Sequence, residues 1–400
     1  MLTTLRVHDY RADALPLLTE GALPLIAGLT ADPALEVCFP TRHWDGGPHL
    51  ALHLGHAAPA ADVLAQARRR LTAAAGHGRA WTPEEYARRA GALARAEGVA
   101  VRHELPHPHG SVLVSTDTVV PGPVQAVRHR FLTALARELA GLLPADPAAA
   151  RSRAPGTALR WMAALAASYP GGARFGSLSF RSHTEAFLAS RPDGEELRGR
   201  FAAAAGRYAP QTGQLVDSAL HRPEELPGYA ACATALAELR DPRLHGDLEE
   251  VLAGPAGPTG AGAGADPDAG GPHAGGPDTV RPHAGGPDTG RPHAGGPDTV
   301  RPHAGGPDTG RPHTGGPDTG RPGTDGAPSA FHRRLAELGF GERTPPAFQA
   351  YRVLVNWLYE ALQWLGVTPI NRYLYCHCLA HAVDERLGET WQDRLTARPS

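Results

Sequence analysis

From Gly254 to Asp325 the chain stops looking like a globular protein and begins to repeat itself. The unit Arg281-Pro-His-Ala-Gly-Gly-Pro-Asp-Thr-Gly290 returns in near-copies from Arg291, Arg301 and Arg311. It holds no large apolar residue, so stacking copies would bury nothing and a solenoid is excluded. Such a stretch is expected to be a disordered linker or surface loop. His273, His283, His293, His303 and His313 recur through it and offer weak metal binding. The plainer account is a recently expanded repeat in a tolerant loop. The flanks must therefore build the fold. We expect residues 1–253 to form the N-terminal part of one body, 254–327 a disordered insertion, and 328–400 a helix pair completing the same body.

The flanks carry ordinary secondary-structure signals. Leu2–Val7, Glu36–Phe39, His49–Leu54, Val99–Glu104 and Ser111–Val119 alternate like strands. Asp62–Ala75 has an apolar stripe, and Thr82-Pro-Glu-Glu85 reads as a capping box with proline at the first helical position. Further helices are expected over Val124–Leu143, Thr157–Ala167, Glu195–Tyr208, Ala230–Arg240 and His332–Leu338. The clearest pair is Ala347–Leu365 and Pro369–Leu387, with Gly366 and Pro369 at the break. Those last two helices are too apolar to stand alone and must pack on the N-terminal part. The fold class is α+β and helix-rich.

Composition narrows the function classes. A net charge of −2 over 400 residues argues against a nucleic-acid binder, and no apolar run is long enough to span a membrane. The N-terminus lacks a signal-peptide pattern, so the cytoplasm is the expected compartment. All 39 basic residues are arginine, which with abundant Ala, Gly and Pro reads as the coding bias of a GC-rich genome. Cys38, Cys232, Cys376 and Cys378 show no disulfide spacing. Adjacent residues in Cys376-His377-Cys378 face different ways on a helix, so these cysteines read as buried small residues and no metal site is assigned.

Arg42-His-Trp-Asp-Gly-Gly-Pro-His-Leu-Ala-Leu-His-Leu54 resembles the strand–turn–strand near the start of the elimination domain of lantibiotic dehydratases. Tyr351-Arg-Val-Leu-Val-Asn-Trp-Leu-Tyr359, and Leu365-Gly-Val-Thr-Pro369 through Asn371-Arg372 and Cys376, resemble the C-terminal part of thiopeptide-type biosynthesis proteins of that superfamily. In eliminating relatives, two arginines on the second strand handle a glutamylated side chain. Ala51 and His53 stand at those positions here. Their late-helix His-Met and Asn-Arg pattern gives way to Asn356-Trp-Leu-Tyr-Glu-Ala-Leu-Gln-Trp364. The resemblance thus implies a retained fold with altered chemistry. The branch known for that change is the thiopeptide pyridine synthase, which joins two dehydroalanines of a precursor peptide by a formal aza-[4+2] cycloaddition. Its members favour a Ser-His-x-x-Glu-like or Ser-His-x-Glu segment, and Phe180-Arg-Ser-His-Thr-Glu-Ala-Phe187 stands mid-chain.

Such a reaction needs a flexible peptide held in one geometry and protons moved at neutral pH, with no cofactor. The residues expected to move protons are Ser182, His183, Glu185, Tyr351, Asn356, Tyr359 and Glu104; those expected to contact substrate are His49, His53, Trp44 and Arg181. Ser177–Phe180 reads as a short strand, after which Ser182 would cap a new helix; His183 packing and Glu185 balancing the helix dipole is the structural alternative. Asn356 and Tyr359 share a helix face, and core packing is their alternative role. Consecutive Ser182 and His183 cannot face one another as nucleophile and base, and no nucleophile elbow is present, so a serine hydrolase is set aside. The implied partner is a leader-bearing precursor peptide, with neither nucleic acid nor membrane; the oligomeric state is open. Two other readings stay open: a glutamate-eliminating lyase, and a non-catalytic leader-binding scaffold. Deleting residues 254–327 is expected to leave folding and turnover nearly intact, checked by thermal melting and activity of the shortened chain; a soluble but inactive product would contradict it.

Overall fold

The computed structural model describes residues 1–11, 13, 15–29, 35–44, 46–56, 61–79, 81–97, 106–118, 121–253, 328–339 and 345–396. They belong to one compact unit, Met1–Pro255 with His313–Ser400; Ala256–Pro312 form a second unit outside the described residues. The repeat and the Val99–Glu104 stretch also lie outside them.

Strands β1 (Leu2–His8), β2 (Leu35–His43), β3 (His49–His56) and β4 (Val112–Asp117) form an antiparallel sheet in the order β2–β3–β1–β4. Alternation sorts their side chains. Leu5 and Val7 sit opposite Leu52 and Leu50, all four buried. With Leu54 they join Leu17, Leu18 and Leu71 in the core. The other face carries Thr4, Arg6, Ala51 and His53. The first connection contains a π-helical turn, Leu17–Ala22, running into helix α1 (Leu23–Leu29).

The remaining described elements are helical: α2 (Ala61–Ala75), α3 (Pro83–Glu97), α4 (Pro123–Leu142), α5 (Pro147–Ser168), α6 (Gly172–Ala189) and α7 (Gly194–His221). Then come α8 (Tyr229–Leu239), α9 (His245–Ala253), α10 (Ala330–Glu337), α11 (Pro346–Trp364), α12 (Pro369–Leu387) and α13 (Trp391–Thr396). The starts follow from sequence. The Thr82–Glu85 box forms in both directions, the Glu85 amide donating to Thr82 Oγ1 at 3.2 Å and the Thr82 amide to Glu85 Oε2 at 2.9 Å. Asp146 and Thr368 accept from the amides of Ala149 and Asn371 to cap α5 and α12. At the α11–α12 break Gly366 takes φ 70°, a left-handed turn that suits glycine.

Two helices outrun the sequence reading. α5 starts ten residues before Thr157 and continues through Pro155, and α7 passes Pro210 to reach His221. Proline removes one helical hydrogen bond without preventing a long helix from being held by packing. In each, the threonine two residues after the proline donates to the carbonyl four residues before itself: Thr157 to Arg153 and Thr212 to Tyr208, both at 3.1 Å.

The body closes around α5 and α11. Trp161 and Trp364 meet edge to face at 6.3 Å, and Glu138 of α4 accepts from the Trp161 indole (2.7 Å) and the Gly228 amide (2.6 Å). Backbones approach closely where α6 crosses α5: a Cβ at Gly176 would fall 2.2 Å from the Ala166 carbonyl oxygen. Among the described residues no helix is long and apolar enough to cross a membrane.

The crossing is testable. Gly176→Ala is expected to cost about 1–3 kcal/mol in urea unfolding, as overpacking does. Gly199→Ala in α7, where a Cβ meets nothing within 4 Å, should be neutral or stabilising by about 0.4–1 kcal/mol.

Candidate functional site

The Ser-His segment lies inside a helix, and the expected strand over Ser177–Phe180 is absent: α6 runs unbroken from Gly172 to Ala189. Ser182 is therefore no helix cap. The alternation misled because the small polar residues are buried: Ser177 is fully enclosed and accepts from the Arg394 guanidinium at 2.8 Å. Ser177 and Ser179 are small enough to sit inside the bundle, and the helical period is lost wherever small polar residues replace apolar ones.

Helices α6, α10, α11 and α12 bring one polar cluster together. His183 Nδ1 lies 2.7 Å from Tyr359 Oη, and Tyr359 Oη lies 3.2 Å from Cys376 Sγ. One residue earlier, Ser182 Oγ lies 3.0 Å from His332 Nε2, whose Nδ1 is 2.8 Å from Ser329 Oγ. The Arg372 guanidinium stands 4.7 Å from the Tyr359 ring centre and 4.9 Å from that of Tyr373. Thr184 donates to the Tyr373 carbonyl at 3.2 Å, and Phe187 stacks on Tyr373 at 4.1 Å, fixing α6 against α12.

Protein surrounds these groups closely enough to keep them uncharged. Burial pulls the His183 imidazole down to about 3, helped by the positive charges of Arg372 and Arg352. Burial raises the Tyr359 hydroxyl well above its ordinary value and lifts the Cys376 thiol to about 12. At neutral pH the chain Cys376–Tyr359–His183 is therefore a string of neutral groups. It can be protonated in two ways: Tyr359 donates to Nδ1 and Nε2 carries the proton, or Nδ1–H donates to Tyr359 and Nε2 is bare. Among the described residues no hydrogen bond occupies Nε2, so the imidazole can give or take a proton there.

The other sequence candidates fall elsewhere. Glu185 is buried and bound at two points by Arg198, at 2.8 and 2.9 Å. Arg181 pairs with Asp384, which also binds the fully buried Arg394. Tyr351 is in the core, donating to the Gly176 carbonyl at 3.0 Å and meeting Tyr169 edge to face. Asn356 is half-buried, one turn from Arg352 on α11. Trp44 is half-buried in the β2–β3 turn. Glu104 lies outside the described residues.

His49 and His53 share a sheet face, as expected, in a histidine row distinct from the Tyr359 cluster. His53 sits between Thr4 Oγ1 (3.0 Å) and Thr41 Oγ1 (2.8 Å) and stacks on Phe39 at 4.8 Å. Burial first, then Arg128 and neighbouring histidines, hold its pKa well below the ordinary value. His43 bonds Thr41 at 3.0 Å, while His49 stacks on His8 at 5.0 Å. This row reaches α11 through Arg128, which lies against Phe39 and makes a two-point pair with Glu360. Among the described residues, no group of three or more His, Cys, Asp or Glu side chains is placed to hold a metal ion.

Sequence reasoning missed Arg352, Arg372 and His332. The first two stand inside the motifs that carry the family resemblance, and an arginine on the buried side of a strongly apolar helix was the available signal. His332 gave none, because its role depends on where α10 docks.

No family model and no curated protein matches this chain. Solved structures do. The pyridine synthase TbtD from thiomuracin biosynthesis aligns at 20% identity and TM-score 0.59, over 97% of this chain and 99% of that one. TsrL aligns at 16% identity and TM-score 0.53, over 100% of this chain and 99% of its own. The chain thus has a thiopeptide pyridine synthase-like fold, helix-rich with a small antiparallel sheet.

The buried histidines predict a pH dependence. His183 is lowered to about 3, and His129 and His377 each to about 4, all by burial first. From the ordinary value of 6.5 down to those values the unfolded chain binds protons that the folded chain refuses. Stability is full above the ordinary value and falls as pH drops below it. The melting temperature should decline from about pH 7 to about pH 5, and less steeply in His183→Gln, as scanning calorimetry would register. An unchanged slope in that variant would place its titration near the ordinary value.

Proposed function

We propose that this chain closes the central six-membered nitrogen ring of a thiopeptide-type product on a leader-bearing precursor peptide. The supporting observation is the His183–Tyr359 contact, a neutral proton-handling pair at a helix junction of a fold aligned end to end with a pyridine synthase. In the reaction, one dehydroalanine and the iminol form of its preceding amide make a 2-azadiene, and a distant dehydroalanine is the dienophile. Two C–C bonds form, joining the carbon ends of the C=N–C=C unit to the two vinyl carbons of the dienophile. The iminol hydroxyl leaves as water, and in the pyridine-forming case the leader departs as an amide to complete the aromatic ring.

The largest task is entropic. Two distant residues of a flexible peptide must meet, and holding them supplies several kcal/mol of barrier reduction. The rest is proton traffic. His183 Nε2 would accept the amide proton in one tautomer and protonate the leaving hydroxyl in the other, with Tyr359 and Cys376 setting the tautomer. Glu185, bound by Arg198, and Tyr351, in the core, would hold α6 and α11 in register without touching substrate. The two flanks would act as one body, with residues 254–327 a dispensable insertion between them. Residual glutamate elimination is disfavoured by Ala51 and His53 standing where that chemistry uses arginines.

The chain is expected to convert a dehydrated, azole-bearing precursor to the ring product, read by mass spectrometry. Glutamate loss would instead mark an eliminase, and no mass change a scaffold. His183→Ala and Tyr359→Phe should each slow cyclisation about 10²-fold, while leader affinity barely moves. Wild-type rates in both folded variants would reduce the contact to packing.

A further inference from the structure

The polar cluster carries more positive charge than its neighbours neutralise. Arg352 lies on the face of α11 that includes Asn356 and Tyr359, at i, i+4 and i+7. It is half-buried, yet among the described residues it has neither a hydrogen bond nor a carboxylate partner, and burial alone lowers its pKa. Arg372 donates one hydrogen bond, to Tyr373 Oη at 3.2 Å, and its Nε is buried with no partner. The nearby carboxylates are committed elsewhere: Glu185 to Arg198, Asp384 to Arg181 and Arg394, and Glu360 to Arg128. Both arginines act electrostatically on His183. Taking guanidinium groups partly out of water with no counter-charge is costly, and an anionic ligand would offset that cost.

We propose that Arg352 and Arg372 form an oxyanion subsite beside His183 and Tyr359, holding the substrate amide oxygen that becomes negative as the azadiene forms. The identity of that oxygen rests on the cyclase reading; the anion-binding property does not. The amide N–H proton passes to His183 Nε2, the nitrogen pair forms the C=N bond, and the C=O pair moves onto oxygen. The imidate so formed is held by guanidinium N–H donors. Return of the proton to oxygen gives the neutral iminol, whose hydroxyl later leaves as water. Burial, with help from the two cations, keeps His183 a weak base, and the same cations lower the cost of the imidate that the transfer creates. Donors aimed at a charge that develops only during reaction accelerate the step without tightening ground-state binding.

Histidine-labelled full-length protein, with the His183 resonance assigned from His183→Gln, gives a readout independent of turnover. Inorganic sulfate is the probe. In wild type, sulfate should shift the His183 resonance and move its titration to higher pH. In Arg352→Met/Arg372→Met the titration should already sit higher, and sulfate should no longer move it. A wild-type resonance indifferent to sulfate, or an equal shift in the double variant, would overturn the subsite; the wild-type arm does not depend on the double variant folding. In turnover, each single Met variant should lose about 10²-fold in kcat with precursor affinity little changed, and Arg372→Lys should recover part of it. A raised KM at unchanged kcat would overturn the oxyanion role. Sulfate binding in a protein that cyclises no precursor would leave the subsite standing and remove the cyclase reading alone.

Discussion

Helices α11 and α12 cannot exist in water as they are, and the architecture follows from where they bury themselves. Val353, Leu354, Val355, Leu358, Leu362 and Trp364 are all enclosed, and each such side chain contributes about 1.5–3 kcal/mol when removed from water. The surface receiving them comes from earlier in the chain, chiefly α4 to α8. Docking on it is non-negotiable for the C-terminal segment, and it carries Arg352, Tyr359, Arg372 and Cys376 up to α6 as a consequence. The polar cluster is thus positioned by apolar packing. Its own hydrogen bonds only choose orientations within it.

That division of labour accounts for the character of the cluster. Ion pairs elsewhere in the body are matched: Arg394 to Asp384, Arg128 to Glu360, Arg174 to Glu389. They tie α13 to α12, α6 to the turn between α12 and α13, and α4 to α11. Beside Arg181–Asp384, which also joins α6 to α12, Arg352 and Arg372 have no carboxylate partner among the described residues. Two guanidinium groups stand beside an imidazole, a phenol and a thiol that are all kept neutral. Partly buried guanidinium groups without a counter-charge are poor for stability and suit a ligand that brings oxygen atoms and negative charge.

The two histidine sites show how the same residue type serves different ends. His53 has hydroxyls on both ring nitrogens, from Thr4 and Thr41, and acts as a polar pin through the sheet. His183 has one nitrogen engaged by Tyr359 and, among the described residues, no hydrogen bond on the other. The sequence reading treated both as candidates because spacing along a strand or helix says which face a residue is on. It cannot say whether that face meets a threonine or leaves a ring nitrogen without one.

The local chemistry of the chain determined much. Caps and prolines set the starts of α3, α5 and α12, Gly366 set the break between the last two helices, and alternation set which face of β1 and β3 is buried. The motifs at both ends were enough to imply the fold that structural comparison shows. Tyr359 and His183 could be named as candidates from helical spacing and the Ser-His segment. Only tertiary structure decided that they touch, that α6 is helical throughout, that Glu185 and Arg181 are held in ion pairs, and that Arg352 and Arg372 have none among the described residues. The physical reason is range. Propensity, capping and periodicity act over a few residues and are written in order along the chain. Burial and charge compensation are set by neighbours as far apart as His183 and Tyr359, 176 positions distant in sequence, and exist only after the core has closed.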